Sequence, residues 1–349
     1  MTENPTFGVI EGFYGHEWPD MTREQMFDWL ADGAFTQFMY APKAASYLRK
    51  AWRHPLETSQ SKRLRRMHES ASNAGLRLHL GLSPFEAYAN YDVQTRQSLR
   101  DKLLQLEATG CTALAILFDD MSGRAESLAS RQLEIVWDVQ QWFPNWVLAV
   151  CPTYYSDDPV LDRLFGPRPT AYLDELALGL PEQVSVFWTG PKVCSDRIDA
   201  ADLRSVAAFG KRLALWDNYP VNDSQSRSEH LYFKPLGRNG EELAPRIGSH
   251  WCNAMNQGAL SLPALLSLPR CYPPVAGEDR DPSLILGKAG ITKKLLSKLM
   301  PLDEISLAEL DRAYRSELEK LSKDDTLAAT ELGDWLAGKY AFDPNCLTD

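Results

Sequence analysis

Short apolar runs alternate along this chain with longer segments that mix apolar and polar positions, and the alternation occurs eight times. The clearest run, residues 113–118, is apolar at every position. A strand covered on both faces shows this continuous pattern, which is typical of parallel sheets. Eight strand–helix units therefore predict an α/β fold, a closed (β/α)8 or TIM barrel, with an open doubly wound sheet as the alternative. The predicted strands are 7–10, 35–40, 76–82, 113–118, 146–151, 184–187, 212–215 and 246–252.

The connecting segments carry helix signals, and more helices follow the last strand. Thr22 and Gln25 have the spacing of a capping box, which predicts a helix that opens there and runs to about Asp32. Residues 271–279 are rich in proline and glycine and predict a linker. A second capping box at Ser306 begins a stretch predicted to be helical up to Tyr340. We therefore expect a barrel domain over 1–270 and, over 271–349, a linker with a short C-terminal helical segment packed on it as a cap.

Composition excludes several classes of protein. The chain has 349 residues and a net charge of −10, which argues against non-specific binding to nucleic acid or to an anionic membrane surface. We find no apolar run of the roughly 20 residues that span a membrane and no secretory signal, so we expect a cytoplasmic protein. The six cysteines form no CxxC pair, which argues against a zinc site. No other metal or cofactor motif stands out in the sequence, so we expect no cofactor.

Two adjacent acids, Asp119 and Asp120, end the apolar run 113–118. Neighbouring side chains on a strand point to opposite faces, but a turn at the strand end can bring both into one cleft. Because two such close carboxylates cannot ionise independently, we expect one to keep a proton near neutrality, as a general acid does. The alternative is structural, a helix N-cap followed by an acid that complements the helix dipole.

Polar and aromatic residues also follow five of the other seven strands. In a barrel all these points surround one mouth, so they predict a single site there. Taken one at a time, each has an ordinary explanation as a packing, turn or capping residue. The residues singled out are Gly12, Lys43, Tyr155, Trp216, Asn218, Asp223 and Asn253.

Six short motifs, in order along residues 7 to about 265, resemble glycoside hydrolase family 84, the β-N-acetylglucosaminidases that include O-GlcNAcase. The similarity fades beyond about residue 270. The motifs are GVIEGFYG from Gly8, YAPK from Tyr40, LFDD from Leu117, CPT from Cys151, WTGPKV from Trp188, and WDN from Trp216 with Asn222-Asp223.

The resemblance implies a (β/α)8 glycosidase that removes terminal β-linked N-acetylglucosamine with retention of configuration. In the family the acetamido oxygen of the substrate is the nucleophile and forms an oxazoline, an exception to the usual two-carboxylate scheme. By the same resemblance, Asp119 orients the acetamido N–H and Asp120 is the acid and then the base. Tyr155 binds near the acetamido group, Trp216 forms part of the wall, and the contacts to sugar hydroxyls come from Gly12, Lys43, Asn218, Asp223 and Asn253.

The sequence departs from the family pattern at several positions. Ala44 and Ala45 stand where the family commonly has two acids, Tyr154 stands where an acid is common, and the usual proline does not follow Asn253. Asn256 is therefore an alternative to Asn253 for the contact at the eighth strand. The expected partner is a glycoside or glycoprotein that carries N-acetylglucosamine, and the competing functional class is a sugar-binding protein that keeps the pocket without turnover.

Overall fold

The computed structural model describes residues 4–274, 281–340 and 342–346. Eight parallel strands close into a barrel in which each strand pairs with the next along the chain and β8 returns to pair with β1. This confirms the (β/α)8 prediction and excludes the open sheet. The strands are β1 (Thr6–Glu11), β2 (Gln37–Tyr40), β3 (Arg77–Leu82), β4 (Ala113–Leu117), β5 (Val147–Cys151), β6 (Ser185–Trp188), β7 (Leu213–Asp217) and β8 (Ser249–Asn253).

Side chains fill the inside of the barrel so closely that one strand position, Gly8, has no room for a side chain. A Cβ atom on Gly8 would lie 2.2 Å from the ring of Trp251 on the neighbouring strand β8, so only glycine fits there. The same indole packs edge-on against His79 of β3, at 5.1 Å between ring centroids. The barrel is thus a filled core, and the space for a ligand must lie at its mouth.

Helices connect the strands as predicted, but their boundaries differ in places from those expected. The first begins at Asp20, directly after Pro19, and not at the predicted capping box; Arg23 in its first turn binds the buried Glu11 and the carbonyl oxygen of Trp18. The segment Ala200–Arg212 after β6 is a 3-10 helix interrupted at Gly210. The α-helices of the barrel ring are α1 (Asp20–Asp32), which is this first helix, α2 (Thr58–Asn73), α3 (Val93–Glu107), α4 (Leu128–Trp142), α5 (Pro159–Phe165), α6 (Tyr172–Gly179), α7 (Gly240–Leu243) and α8 (Gly258–Leu265).

Over the described residues after the barrel, four α-helices of seven to ten residues follow, namely α9 (Pro282–Lys288), α10 (Lys293–Leu299), α11 (Arg312–Leu321) and α12 (Leu327–Leu336). The capping box at Ser306 is present, but it opens only a 3-10 turn, and the last helix ends at Leu336, before the predicted Tyr340. Helix α12 packs on α8 of the barrel and on α11. Residues 275–280 of the predicted linker lie outside the described residues, and the domain boundary at 270 stays a prediction. No helix in the described ranges is long and apolar enough to cross a bilayer.

Candidate active site

A cavity of about 490 Å³, including the part open to solvent, lies at the mouth of the barrel. All nine residues that the sequence predicted for the site line it, although they come from distant parts of the chain. Their convergence follows from the fold, because the carboxyl ends of the barrel strands all face the same side. They are Gly12, Lys43, Asp119, Asp120, Tyr155, Trp216, Asn218, Asp223 and Asn253.

The backbone after β4 explains how two adjacent acids reach one cavity. The amide of Phe118 still donates to the carbonyl oxygen of Cys151, at 2.8 Å, so the sheet pairing continues to the residue before the acids. At Asp120 the backbone is left-handed, with φ of 56°. That conformation is uncommon outside glycine but is tolerated by aspartate, and it breaks the alternation that would separate the two side chains.

Both acids share one buried cation. The ammonium of Lys43 donates to Oδ2 of Asp119 and, at 3.0 Å, to Oδ2 of Asp120. Two tyrosines complete the surroundings of Asp120, since Tyr14 donates to its Oδ2 at 2.8 Å and Tyr155 to its Oδ1 at 3.3 Å. Asp119 differs, because its Oδ1 is buried and no described residue donates a hydrogen bond to it. A buried carboxylate oxygen of this kind is costly unless a ligand supplies the missing donor.

The charges around Asp120 correct one expectation. Burial on its own would raise the pKa of Asp120, but the Lys43 ammonium and the hydrogen bond from Tyr14 outweigh it, so the pKa lies below its ordinary value. Conversely, burial would lower the pKa of Lys43, but the two carboxylates raise it well above its usual range. Asp120 is therefore ionised near neutrality, so the expectation that one of the two acids keeps a proton is not met at Asp120.

The opposite side of the cavity is built from neutral amides. Oδ1 of Asn218 accepts from the indole of Trp216 at 2.9 Å and from Nδ2 of Asn253 at 3.0 Å, and its own Nδ2 donates to the carbonyl oxygen of Val193. Oδ1 of Asn253 accepts from the amide of Gly12 at 3.3 Å. The ends of β1, β7 and β8 are thereby held together at the cavity wall.

Asp223 is the remaining acid of the site and has a different environment. Its Oδ2 accepts from the backbone amide of Tyr14 at 2.7 Å. Burial raises its pKa to about 6, although that amide and the Lys43 ammonium act in the opposite direction. Asp223 therefore changes its charge just below neutral pH.

The eighth strand offered two candidate asparagines, and the structure separates them. Asn253 lines the cavity, whereas Asn256 does not. The side chain of Asn256 instead donates to the carbonyl oxygen of Tyr14, at 3.2 Å, and its backbone amide donates to Asn222 at 3.1 Å. Asn256 supports the loop behind the site and Asn253 faces the ligand space.

Several residues of the site had no role in the sequence analysis. Tyr14 lies within the glycine-rich motif that was noted, and its position between two glycines was the available signal. Arg49 approaches the Tyr14 hydroxyl, at 3.5 Å, and no motif marks it. Cys346, which follows the last helix, also lines the cavity, and nothing in its sequence context indicates this because only the path of the chain brings it there.

Behind the amide wall lies a buried ion-pair network that the sequence did not reveal. The guanidinium of Arg238 donates to both oxygens of Asp217, at 2.7 and 2.8 Å, and to the carbonyl oxygens of Ser195 and Asp196. His250 lies 3.1 Å from the same carboxylate. Because Asp217 stands between Trp216 and Asn218, this network fixes the end of β7. Over the described residues, no group of three or more His, Cys, Asp or Glu side chains could hold a metal ion.

The chain is similar to known proteins in both sequence and fold. The chain is 28% identical over 251 residues to the protein O-GlcNAcases of Mus musculus and Rattus norvegicus, an alignment that covers 69% of this chain and 27% of each relative. The chain thus spans only about a quarter of those proteins. An O-GlcNAc hydrolase mutant from Thermobaculum terrenum has a similar fold, with a TM-score of 0.74 and 24% identity, over 95% of this chain and 80% of that one. A family model described as beta-N-acetylglucosaminidase matches residues 7–283, and the chain therefore belongs to the β-N-acetylglucosaminidase family.

Proposed function

We propose that this protein is a retaining exo-β-N-acetylglucosaminidase that removes terminal β-linked N-acetylglucosamine by substrate-assisted catalysis. The observation that carries the proposal is the pair Asp119 and Asp120, which line one cavity in different hydrogen-bonding states. Asp119 keeps a buried oxygen to which no described residue donates, and Asp120 accepts from Lys43, Tyr14 and Tyr155. Such a pair suits a reaction in which one acid binds an N–H group and the other transfers a proton.

The proposed role of Asp119 is to accept the acetamido N–H of the sugar. Its Oδ1 is the buried acceptor that lacks a donor among the described residues. A charged acceptor on the nitrogen makes the amide oxygen more electron-rich, and that oxygen attacks C1 as the bond to the leaving oxygen breaks. The positive charge that develops on the resulting oxazoline is then stabilised by the Asp119 carboxylate.

The proposed role of Asp120 is to give its proton to the leaving oxygen and afterwards to take a proton from the water that opens the oxazoline. A general acid must be protonated when the substrate is bound, whereas Lys43 and Tyr14 keep Asp120 ionised in the free site. We propose that the sugar draws the Lys43 ammonium to one of its hydroxyls. With that charge displaced, burial dominates and raises the pKa of Asp120 in the complex.

The amide wall is proposed to hold the sugar ring. Asn218 and Asn253 each use one of two N–H hydrogens inside the wall, which leaves the other for a hydroxyl oxygen. Asp223 accepts from hydroxyls when ionised, and Tyr155 lies beside Asp120, where the acetamido group would bind. Gly12 has no room for a side chain, since a Cβ there would lie 2.7 Å from Ile10 and 3.1 Å from Trp216, so its backbone forms that part of the wall and is proposed to contact a sugar hydroxyl.

The substrate is proposed to be a small glycoside or a glycoprotein with N-acetylglucosamine on Ser or Thr. The second of these is supported by the name of the mouse and rat relatives, protein O-GlcNAcase. A cytoplasmic location stays a prediction from composition. The competing class, a sugar-binding protein without turnover, would bind an oxazoline mimic and release no product.

Hydrolysis of aryl β-N-acetylglucosaminides with good and poor leaving groups tests the proposal. Asp120→Ala should lose about a hundredfold or more in kcat on poor leaving groups, because only these need protonation, and much less on good ones. Asp101→Ala, which removes an exposed acid of α3, is the matched control and should leave both rates unchanged. Equal losses on the two substrate types would remove Asp120 from the acid role, and binding of the mimic without any hydrolysis by the intact protein would support the binding protein.

A further inference from the structure

The N-terminus of α8 is capped by a residue from a distant helix. The residue before the helix, Gln257, makes no side-chain hydrogen bond to it. Instead the two carboxylate oxygens of Glu331, on α12, accept from the backbone amides of Ala259 at 3.1 Å and of Leu260 at 3.0 Å. A carboxylate at this place binds two of the amides that a helix start leaves without partners and complements the helix dipole.

Gln257 is thereby available for the loop behind the active site. Its Oε1 accepts from Nδ2 of Asn222 at 2.9 Å, and Oδ1 of Asn222 accepts from the backbone amide of Asn256 at 3.1 Å. Asn222 is the residue before Asp223, and Asn256 lies three residues after Asn253. The two loops that carry these sugar-facing residues are therefore joined directly at the start of α8.

The network continues to the first loop of the barrel mouth. Nδ2 of Asn256 donates to the carbonyl oxygen of Tyr14 at 3.2 Å, and the amide of Tyr14 donates to Asp223 at 2.7 Å. Every side chain in this chain of contacts is buried or nearly so. A displacement of the α8 start would therefore move the side of the site that holds the sugar hydroxyls.

We infer that Glu331 is a positioning residue for the sugar-binding wall, which it aligns by fixing the start of α8 and, through Gln257 and Asn256, the loops that carry Asp223 and Asn253. The inference rests on the proposed function, because it assigns these loops to sugar binding. It also gives the helices that follow the barrel a role in the active site, although they contribute no acid to it.

Docking of α12 does not by itself require an acid at this position. Leu332 and Trp335 are buried on the same helix and supply apolar contacts. The side chain of Glu331 is only 5% exposed, and burial raises its pKa to about 7 in spite of the backbone amides that bind it. Its described ionisable neighbours are Asp334 on α12 and Tyr340 beyond it, and α8 itself carries no ionisable side chain. An apolar residue would avoid this cost, so the acid is explained by the amides that it caps.

The test compares Glu331→Ala and Glu331→Gln with Leu332→Ala, a control that loosens the docking of α12 but keeps the cap. KM for an activated aryl β-N-acetylglucosaminide should rise about fivefold to tenfold in Glu331→Ala, by the loss of charge-assisted hydrogen bonds, while kcat stays within about twofold. Glu331→Gln keeps one accepting oxygen and should show a smaller rise. Leu332→Ala should be less stable yet keep its KM.

Hydrogen exchange gives a readout that needs no catalysis. The amides of Ala259 and Leu260 should exchange about tenfold or more faster in Glu331→Ala than in Leu332→Ala at matched stability. An unchanged KM and unchanged exchange in both Glu331 variants would overturn the inference, and so would an equal rise of KM in Leu332→Ala. A protein that neither hydrolyses the glycoside nor binds an oxazoline mimic would contradict the proposed function instead, and exchange would still decide the capping role.

Discussion

The two sides of the active site are built in different ways. On the side formed by β2 and β4, three charged groups are packed together, and one oxygen of Asp119 accepts no hydrogen bond from the part of the chain that the structure describes. On the side formed by β7 and β8, Asn218 and Asn253 are neutral and bind each other and the backbone. The charged side therefore has a buried acceptor to which no described residue donates, whereas the two amide side chains of the other side are already held by hydrogen bonds.

This difference predicts that the charged side stabilises the transition state and that the amide side binds the substrate in its ground state. A group whose interactions are incomplete in the free protein can gain most when charge develops on the substrate, so it acts on kcat. A preformed wall binds substrate and transition state about equally, so it acts on KM. The left-handed backbone at Asp120 fits the first class, because uncommon backbone conformations cluster at functional sites.

The largest effect should come from Asp119→Asn. Neutralising the acceptor of the acetamido N–H should lower kcat by about a hundredfold to a thousandfold, the range seen when one transition-state contact is lost. The loss should be similar for good and poor leaving groups, because the acetamide attacks C1 in both, unlike the selective loss in Asp120→Ala. Hydrolysis rates of two aryl glycosides measure this, and a loss confined to poor leaving groups would contradict the assigned role.

A smaller and different effect is expected on the amide side. Asn253→Ala should raise KM about tenfold by removing hydrogen bonds to the sugar and to Asn218, with kcat nearly unchanged. Asn90→Ala, at an exposed position outside the cavity, is the matched control. If kcat fell as far in Asn253→Ala as in Asp119→Asn, the two sides of the site would not differ in function and the prediction would be wrong.

The smallest effect concerns pH. Because burial places the pKa of Asp223 at about 6, this acid is ionised above that pH and gains a proton as the pH falls through it. The ionised form is the better acceptor for sugar hydroxyls, so affinity for an oxazoline mimic should fall a few-fold between about pH 7 and 5. Titration calorimetry at several pH values measures it, and Asp223→Asn should flatten the dependence. An affinity that rises as the pH falls would contradict the assignment.

The sequence predicted the fold and the residues that line the site, but not every contact within the site. The apolar run 113–118 indicated a buried strand, and eight such runs determined the barrel, because this pattern depends only on local sequence. The strand ends then gave the lining residues without any distance information, since a barrel brings all its carboxyl ends to one mouth. The assignment of Asn253 over Asn256 needed coordinates, because both follow β8 within a few residues.

Contacts between residues far apart in the chain could not be predicted from the sequence. Lys43 was expected to contact sugar hydroxyls, and its position between Asp119 and Asp120 reversed the expected protonation of the acid. Glu331 had no signal at all, since it is one acid on an ordinary helix and its partners lie some seventy residues earlier. Electrostatic environments depend on such pairings, so pKa directions are the least predictable property of the site.

The central claim is that the acetamido oxygen of the substrate is the nucleophile. Asp119 binds the acetamido N–H, and Asp120 transfers the proton to the leaving oxygen. Comparing hydrolysis of an aryl N-acetylglucosaminide with that of its N-trifluoroacetyl analogue tests this most directly. Fluorine withdraws electrons from the amide oxygen, so the account predicts a steep fall in kcat/KM, about a hundredfold or more if the oxygen is the nucleophile in the transition state. Equal rates on the two substrates would show that the amide takes no part and would contradict the account.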